Sequence, residues 1–239
     1  MDIPVKFGTS GHRGLIGSSF SYDHVSSIAQ AVSTILKKSY SSPQLVIGFD
    51  PRKGNDPNMS EGSFTQILVS HLLRSGVSVG LATECVPTPL ISWFIRNHNI
   101  HGGFMLTASH NPPSYNGIKF NPDDGQPAPP ELTNEIELLA NNSGSHPPET
   151  TLSPGSFHHF SPTDSFADHL VQYIDDLFGH RSISLHIAID CKFGATGGLW
   201  RALSSRFDTA TWSISNASPR EDFGNIEPNP THIASLSSF

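Results

Sequence analysis

The 239-residue chain carries 14 basic and 21 acidic residues, for a formal net charge of −7, and 36% of its residues are hydrophobic. This length suffices for one large domain or two modest ones with a buried core. The acidic balance argues against nucleic acid or an anionic membrane surface as the main partner, because both favour a basic face, so any phosphate site must be built locally.

Helix and strand patterns alternate along the first half of the chain. Apolar residues at helical spacing predict helices over 23–38 and 60–75, and a third that begins at Pro87. Short apolar runs predict strands at 45–49, 77–81 and 104–106. This alternation is typical of βαβ units, so the predicted fold class is α/β, with a mixed, mostly parallel sheet flanked by helices.

The second half predicts fewer elements. Helices are expected over 130–142 and 163–178, separated by a polar surface segment rich in Ser, Pro and Gly. A strand at 185–190, a glycine-rich turn and a short helix then begin a new βα unit, and about two turns of helix are expected from Thr231. We therefore expect a first domain over 1–180 and the start of a second, similar α/β domain over 181–239.

Cysteine usage and the first residues of the chain indicate a cytoplasmic protein. Cys85 and Cys191 are too few for a disulfide framework, and both are expected to be reduced, mostly buried thiols. The N-terminal residues contain no apolar stretch of signal-peptide length, and no run approaches the ~20 apolar residues of a membrane span.

The stretch that follows the strand at 104–106 contains the most reactive side chains. It contains Ser109, His110 and Asn111, and Lys119 follows in the sequence Asn-Gly-Ile-Lys. The expected setting is strand, loop, strand, and a serine at the end of a strand is well aimed for chemistry. The loop alone indicates a polar serine that could react.

Two further segments are candidates for a site. Gly8, Gly11 and Gly14 let backbone N–H groups approach a ligand while His12 and Arg13 project from a turn. An ordinary connecting loop explains the spacing equally well. Asp50 and Arg52 follow the strand at 45–49, at the carboxyl end where open α/β sheets bind ligands. A strand-terminal salt bridge is the simpler interpretation of this pair, and a supporting role near the site is the alternative.

Two of these segments resemble signatures of the α-D-phosphohexomutases. Thr-Ala-Ser-His-Asn-Pro at 107–112, with Asn-Gly-Ile-Lys at 116–119, is similar to the family's phosphoserine loop, and 7–14 is similar to its N-terminal signature. Residues 120–128 resemble the phosphoglucomutase branch. The resemblance covers the first domain and part of the second in a family with four, so it implies that the chain is an incomplete N-terminal part.

The resemblance implies an enzyme that interconverts glucose 1-phosphate and glucose 6-phosphate through a phosphoserine and glucose 1,6-bisphosphate. Ser109 would carry the phosphate, His110 and Lys119 would handle protons, and Arg13 and Lys119 would offset phosphate charge. The residues predicted to contact the substrate are Thr9, Ser10, His12 and Asn111.

The resemblance also implies Mg²⁺, bound through the phosphate on Ser109 and three aspartates of an Asp-x-Asp-x-Asp-Arg loop. No such loop occurs in this sequence. A hexose phosphate is the expected partner, and the oligomeric state stays open.

Three alternatives remain. One is a phosphomannomutase of the same family, because nothing in the chain selects glucose over mannose. Another is a non-catalytic, truncated protein that binds sugar phosphates or a partner protein. A Ser-His hydrolase is the weakest, because adjacent residues of an extended chain point apart and the G-x-S-x-G elbow is absent.

Overall fold

The computed structural model describes residues 3–142, 155–179, 185–207 and 210–225. Within these ranges the chain forms a six-stranded mixed sheet and a two-stranded parallel sheet, both accompanied by helices. The predicted α/β fold class is confirmed.

Helices and strands alternate as the sequence predicts. The strands of the larger sheet are β1 (His12–Leu15), β2 (Gln44–Phe49), β3 (Ser78–Ala82), β4 (Gly102–Leu106), β5 (Tyr115–Pro122) and β6 (Phe157–Phe160). The helices among and after them are α1 (Tyr22–Ser39), α2 (Phe64–Arg74), α3 (Thr88–Asn97), α4 (Pro130–Asn142) and α5 (Thr163–Phe178). The smaller sheet consists of β7 (Leu185–Asp190) and β8 (Ala210–Ser215), with α6 (Gly197–Ser204) between them and a short 3₁₀ helix at Phe223–Asn225.

The order of strands in the larger sheet is β1-β5-β4-β2-β3-β6. The four strands β4, β2, β3 and β6 are parallel to one another, whereas β5 runs antiparallel to both β4 and β1. Every residue from Leu45 to Phe49 in β2 is buried, so both faces of the sheet are covered at its centre. Helix α3 packs on β2 and β4, and α1 contacts α2 and α4.

The glycine-rich N-terminal segment is only partly a loop. Residues His12–Leu15 form the edge strand β1, with Arg13 opposite Gly117 of β5. At Gly11, φ is +76° and a Cβ would lie 2.1 Å from the carbonyl oxygen of Ile118, so only glycine fits there. The sequence His-Arg-Gly-Leu contains no β-branched or aromatic residue, which explains why no strand was predicted.

Other differences from the expected elements are small. Helix α2 begins at Phe64 rather than at 60, because the Ser63 side chain accepts a hydrogen bond from the Gln66 N–H at 3.1 Å and caps the helix there. The polar surface segment contains β6, and β8 was not predicted at all. Residues 143–154 and the helix expected from Thr231 lie outside the described residues.

Both cysteines are free thiols, as predicted. Cys191 is buried and Cys85 is partly buried. Burial, followed by the negative charges of Asp50 and Glu84, raises the pKa of Cys85 to about 12, so this thiol stays protonated at neutral pH.

Helix α5 connects the two sheets, because it packs against α3 on one side and against α6 on the other. Arg206, which follows α6, donates from Nε to Asp168 at 2.6 Å and from Nη2 to Asp164 at 2.9 Å, and both carboxylates belong to α5. The expected domain boundary, between residues 180 and 181, lies outside the described residues, so the division into two domains stays a prediction. In the described part of the chain, none of the helices has the length and apolar character needed to cross a membrane.

Candidate active site

The Ser109 loop, residues 107–114, joins β4 to β5 at the carboxyl end of β4, in the strand, loop, strand setting that was predicted. Thr107 and Ala108 are buried, whereas Ser109 and His110 are exposed. Ser109 has a φ of +59°, in the left-handed region that is costly for a residue with a Cβ. The serine is therefore presented to solvent from a strained turn.

A buried carboxylate anchors the start of the Ser109 loop. The Thr107 hydroxyl donates to Asp50 Oδ2 at 2.5 Å and accepts from the backbone N–H of Ser109 at 3.0 Å. Burial raises the pKa of Asp50, while Arg52 and the Thr107 hydroxyl oppose that rise by stabilising the charged form. Asp50 thus fixes the backbone of the serine through one intervening hydroxyl.

The guanidinium of Arg52 is buried against the same loop. Its Nε donates to Asp50 Oδ2 at 3.1 Å, which is the salt bridge that the sequence favoured. The remaining N–H groups donate to the loop carbonyls of Pro112, Ser109 and Asn111, at 2.7, 3.0 and 2.8 Å respectively, and to the carbonyl of Tyr115, the first residue of β5, at 2.9 Å. Most of its hydrogen bonds therefore serve the loop rather than the ion pair.

Two asparagines connect the loop to the neighbouring strands. Asn116 donates to the side chain of Asn55 at 2.9 Å and accepts from the Gly117 N–H at 2.8 Å. Asn55 in turn donates to the carbonyl of Leu106, the last residue of β4, at 3.1 Å. The sequence predicted no functional role for either asparagine. Asn116 stood inside the recognised motif, whereas Asn55 has no local signal.

Two cations share one face of the sheet beside the loop. Arg13 of β1 lies opposite Gly117 of β5, and Lys119 follows Gly117 by two residues in β5. The side chains of Arg13 and Lys119 therefore project from the same face of the sheet. Burial lowers the pKa of Lys119, the nearby charge of Arg13 lowers it further, and Asp50 opposes both effects. Neither cation forms a salt bridge within the described ranges, and Arg13 Nε is buried there without a hydrogen-bond partner. This concentration of unneutralised positive charge favours an anionic ligand.

Ser109 and His110 lie closer together than expected. Because Ser109 is not extended, its Oγ lies 3.5 Å from Nδ1 of His110, the outer limit of a hydrogen bond. The argument that these neighbours point apart is therefore wrong for this loop. The G-x-S-x-G elbow is still absent from the sequence, so a hydrolase gains little support.

Thr9 and Ser10 lie where a ligand could reach them. Both are exposed and, with Lys119, line an open cleft of about 680 Å³ beside α3. Ser109 and Asn111 are not among the described residues that line this cleft. Asn111 contributes its backbone carbonyl to Arg52, as described above.

His12 does not project from a turn as expected. It is 3% exposed in β1, and its Nε2 lies 2.9 Å from the carbonyl of Ser19. Its ring stacks on His24 at a centroid distance of 4.8 Å, and burial followed by His24 lowers its pKa. Alternation along β1 explains the difference, because it turns His12 inward and Arg13 to the opposite face. His12 is therefore packed inside the fold, and it is not among the described residues that line the cleft.

The residues present do not fit a complete Mg²⁺ site. Across the described ranges, no three His, Cys, Asp or Glu side chains are grouped so that they could hold a metal ion. The carboxylate that contacts the Ser109 loop, Asp50, already accepts hydrogen bonds from Arg52, Asn55 and Thr107. A phosphate on Ser109 would supply oxygen ligands, but the described residues offer no aspartate cluster to accompany it.

Comparison with known proteins identifies the family of this chain. Residues 4–146 match the family model described as phosphoglucomutase/phosphomannomutase, alpha/beta/alpha domain I. A phosphoglucomutase of Komagataeibacter xylinus is 31% identical over 220 residues, which cover 85% of this chain and 38% of the relative. A phosphoglucosamine mutase of Halalkalibacterium halodurans is 30% identical over 234 residues, which cover 98% of this chain and 50% of the relative.

Among solved structures, a Thermus thermophilus protein assigned as a phosphomannomutase superposes with a TM-score of 0.77 at 28% identity, covering 100% of this chain and 52% of that one. The chain thus spans about half the length of the relatives it matches, or less. The family model alone accounts for more than half of the sequence. The chain belongs to the phosphoglucomutase/phosphomannomutase family.

Proposed function

We propose that Ser109 is the phosphate carrier of a phosphohexomutase site and that the sugars interconverted are glucose 1-phosphate and glucose 6-phosphate. One observation carries this proposal. An exposed serine is held at the carboxyl end of the central strand β4, and two cations on the neighbouring strands β1 and β5, Arg13 and Lys119, form no salt bridge in the described part of the chain. Glucose is favoured by the sequence of residues 120–128, which resembles the phosphoglucomutase branch.

The proposed chemistry consists of two phosphoryl transfers. In the first, the bond between phosphorus and Ser109 Oγ breaks as a bond forms to a sugar hydroxyl, whose proton passes by way of His110 or Lys119 to Ser109 Oγ. In the second, the other phosphate of glucose 1,6-bisphosphate returns to Ser109 Oγ, and the proton of the serine hydroxyl passes by the same group to the released sugar oxygen. Arg13 stabilises the negative charge on the transferring group throughout.

Lys119 suits this part because its pKa is lowered. A lysine with a depressed pKa reaches its neutral form more readily and can accept a proton, and once protonated it offsets phosphate charge. Thr9 and Ser10 contact the substrate in this proposal from the cleft that they share with Lys119, and Asn111 contacts it from the Ser109 loop. The hexose phosphate is the partner, and the reaction takes place in the cytoplasm.

Full catalytic turnover is proposed only for a protein as long as these relatives. The chain covers about half of that length, and its described residues do not include the aspartate cluster that Mg²⁺ would need. For these 239 residues, the testable step is therefore phosphoryl transfer to Ser109.

That step can be tested by incubating the chain with glucose 1,6-bisphosphate and following intact mass. We expect the wild-type chain to gain one phosphoryl group, and Ser109→Ala to gain none. Ser114→Ala is the matched control, because Ser114 is an exposed serine in the same loop. Phosphate acquired equally by the wild-type chain and Ser109→Ala would contradict the assignment.

A second candidate follows from the donor groups present: the described residues offer no aspartate cluster for Mg²⁺, and the sequence has no Asp-x-Asp-x-Asp-Arg loop. The chain would bind sugar phosphates without reacting with them, through Arg13 and Lys119. In that case the bisphosphate would bind to wild-type chain and Ser109→Ala alike and leave neither phosphorylated. Mannose 1,6-bisphosphate in place of the glucose compound distinguishes a phosphomannomutase.

A further inference from the structure

All five N–H donors of Arg52 form hydrogen bonds, and they bind two kinds of acceptor. One donates to the Asp50 carboxylate, and the other four donate to backbone carbonyls of the Ser109 loop and the first residue of β5. The side chain is 0% exposed, so no donor is satisfied by solvent instead. A planar guanidinium has five donors in a rigid fork, whereas lysine has three on one nitrogen and cannot reach the same set of acceptors.

The carbonyls that Arg52 holds belong to Ser109 and to residues that follow it. The left-handed backbone of Ser109 persists only where its surroundings fix it. Arg52 binds the carbonyl of this serine at 3.0 Å, and the Thr107 hydroxyl binds its N–H at 3.0 Å. Both peptide groups of Ser109 are therefore held, and Arg52 can affect the direction of the serine hydroxyl without touching the phosphate.

A residue from the far end of the described chain covers this cation. The Phe223 ring lies 4.8 Å from Cζ of Arg52 and is itself 3% exposed. Phe223 lies in the 3₁₀ helix that follows β8, so it belongs to the part of the chain that contains the smaller sheet. An aromatic face attracts a guanidinium, and by excluding water it strengthens the hydrogen bonds that the guanidinium makes.

We infer that Arg52 is the positioning residue of the Ser109 loop, and that Phe223 sets how firmly Arg52 holds it. The segment after the smaller sheet thereby controls the reactivity of a serine on the larger sheet. The inference rests on the phosphate-carrier function proposed for Ser109, and it adds a residue and a route of control that this function does not require.

The experiment compares Arg52→Lys and Phe223→Leu with a matched control, Phe193→Leu. Phe193 forms an equivalent pair with Arg220, at 5.1 Å, and its ring lies against Gly224, next to Phe223, but its partner is not Arg52. Two quantities are measured on the 239-residue chain. The first is the rate and half-saturating concentration for phosphorylation by glucose 1,6-bisphosphate. The second is hydrogen exchange of the Asn111 and Tyr115 amides, which bond to carbonyls within the loop.

For Arg52→Lys we expect hydrogen exchange of the loop amides to be faster by about 10-fold or more. The saturating phosphorylation rate should be slower by about 10-fold or more. For Phe223→Leu both should change in the same directions by about 3- to 30-fold. The half-saturating concentration should stay within about 2-fold for both, since Arg52 does not contact the ligand. Phe193→Leu should behave as the wild type in every measurement.

The two readouts separate this inference from the proposed function. Faster hydrogen exchange of the loop in both variants supports the positioning role, whether or not the wild-type chain takes up phosphate. Absence of phosphate uptake by the wild-type chain would count only against the carrier function. Unchanged exchange in Phe223→Leu, or an equal change in Phe193→Leu, overturns the inference whatever Ser109 does. Phe223→Leu keeps the experiment decisive should Arg52→Lys fail to fold.

Discussion

At the scale of single residues, the charge of Arg13 acts directly on Lys119. Burial is the largest cause of the lowered Lys119 pKa, and Arg13 is the second. Two cations held on one face of a sheet raise the free energy of each other's charged form, and a bound phosphate would relieve that repulsion. The pair therefore predicts how phosphoryl transfer depends on pH.

We expect phosphorylation of Ser109 by glucose 1,6-bisphosphate to slow as pH rises through the Lys119 pKa. In this step the released sugar oxygen takes up a proton, and the neutral amine can neither donate that proton nor offset phosphate charge. Since that pKa is lowered, the loss begins below the range of an ordinary lysine. In Arg13→Met the repulsion is removed, so the midpoint should move to higher pH while the maximum rate falls by about 10- to 1000-fold.

Lys119→Arg is the control for this prediction, because arginine stays charged over the same pH range and should give a profile without that midpoint. A midpoint that stays in place when Arg13 is replaced would show that the titration belongs to another group.

At the scale of elements, strand β1 depends on close backbone approach to β5. Gly11 and Gly17 flank β1, and both have positive φ, +76° and +81° respectively. A Cβ at Gly11 would meet the Ile118 carbonyl, whereas a Cβ at Gly17 would have nothing within 4 Å. The two positions therefore separate the cost of an unfavourable φ from the cost of a steric clash.

We expect Gly17→Ala to destabilise the chain by about 1 kcal/mol, the cost of a left-handed backbone alone. Gly11→Ala should cost about 3 kcal/mol or more, because the clash adds to the same φ penalty and loosens β1 from β5. Urea denaturation measures both free energies of unfolding. Equal losses in the two variants would mean that the backbone around Gly11 shifts without cost.

The sequence predicts those elements whose signal is local. Periodic apolar residues identified α1, and a short apolar run identified β2. The motif around Ser109 identified the loop and its setting between two strands. Strand β1 was missed because its pairing with β5 is a long-range property that four unremarkable residues do not encode.

The same limit applies to the site. Ser109, Lys119 and Arg13 could be proposed from motifs, whereas the inward direction of His12 follows from the alternation of a strand that was not predicted. The full hydrogen bonding of Arg52 depends on carbonyls about sixty residues away in the chain, so the sequence favoured only its bond to Asp50.

At the scale of the whole molecule, the two sheets are linked through α5 and Arg206. Trp93 lies in α3 beside the larger sheet, while Trp200 and Trp212 lie in α6 and β8. Tryptophan fluorescence can therefore report the two regions separately, in Trp93→Phe and in the double variant Trp200→Phe/Trp212→Phe.

We expect the two reporters to unfold together in urea in the wild-type background. Arg206→Ala removes the ion pairs with Asp164 and Asp168, so the region of the smaller sheet should then unfold at lower urea than the larger sheet. Arg201→Ala is the control, because Arg201 is exposed on α6 and forms no salt bridge in the described residues. Transitions that coincide in Arg206→Ala would show that apolar packing of α5 on α6 suffices.

The left-handed backbone at Ser109 also bears on how this chain would change under selection. Glycine and asparagine occupy that conformation more comfortably than serine, yet neither can carry a phosphate. Selection for thermal resistance alone should therefore enrich glycine or asparagine at position 109 among surviving variants. Such variants would resist heat better than the parent chain while losing phosphoryl transfer, so the most stable members of a library would be inactive.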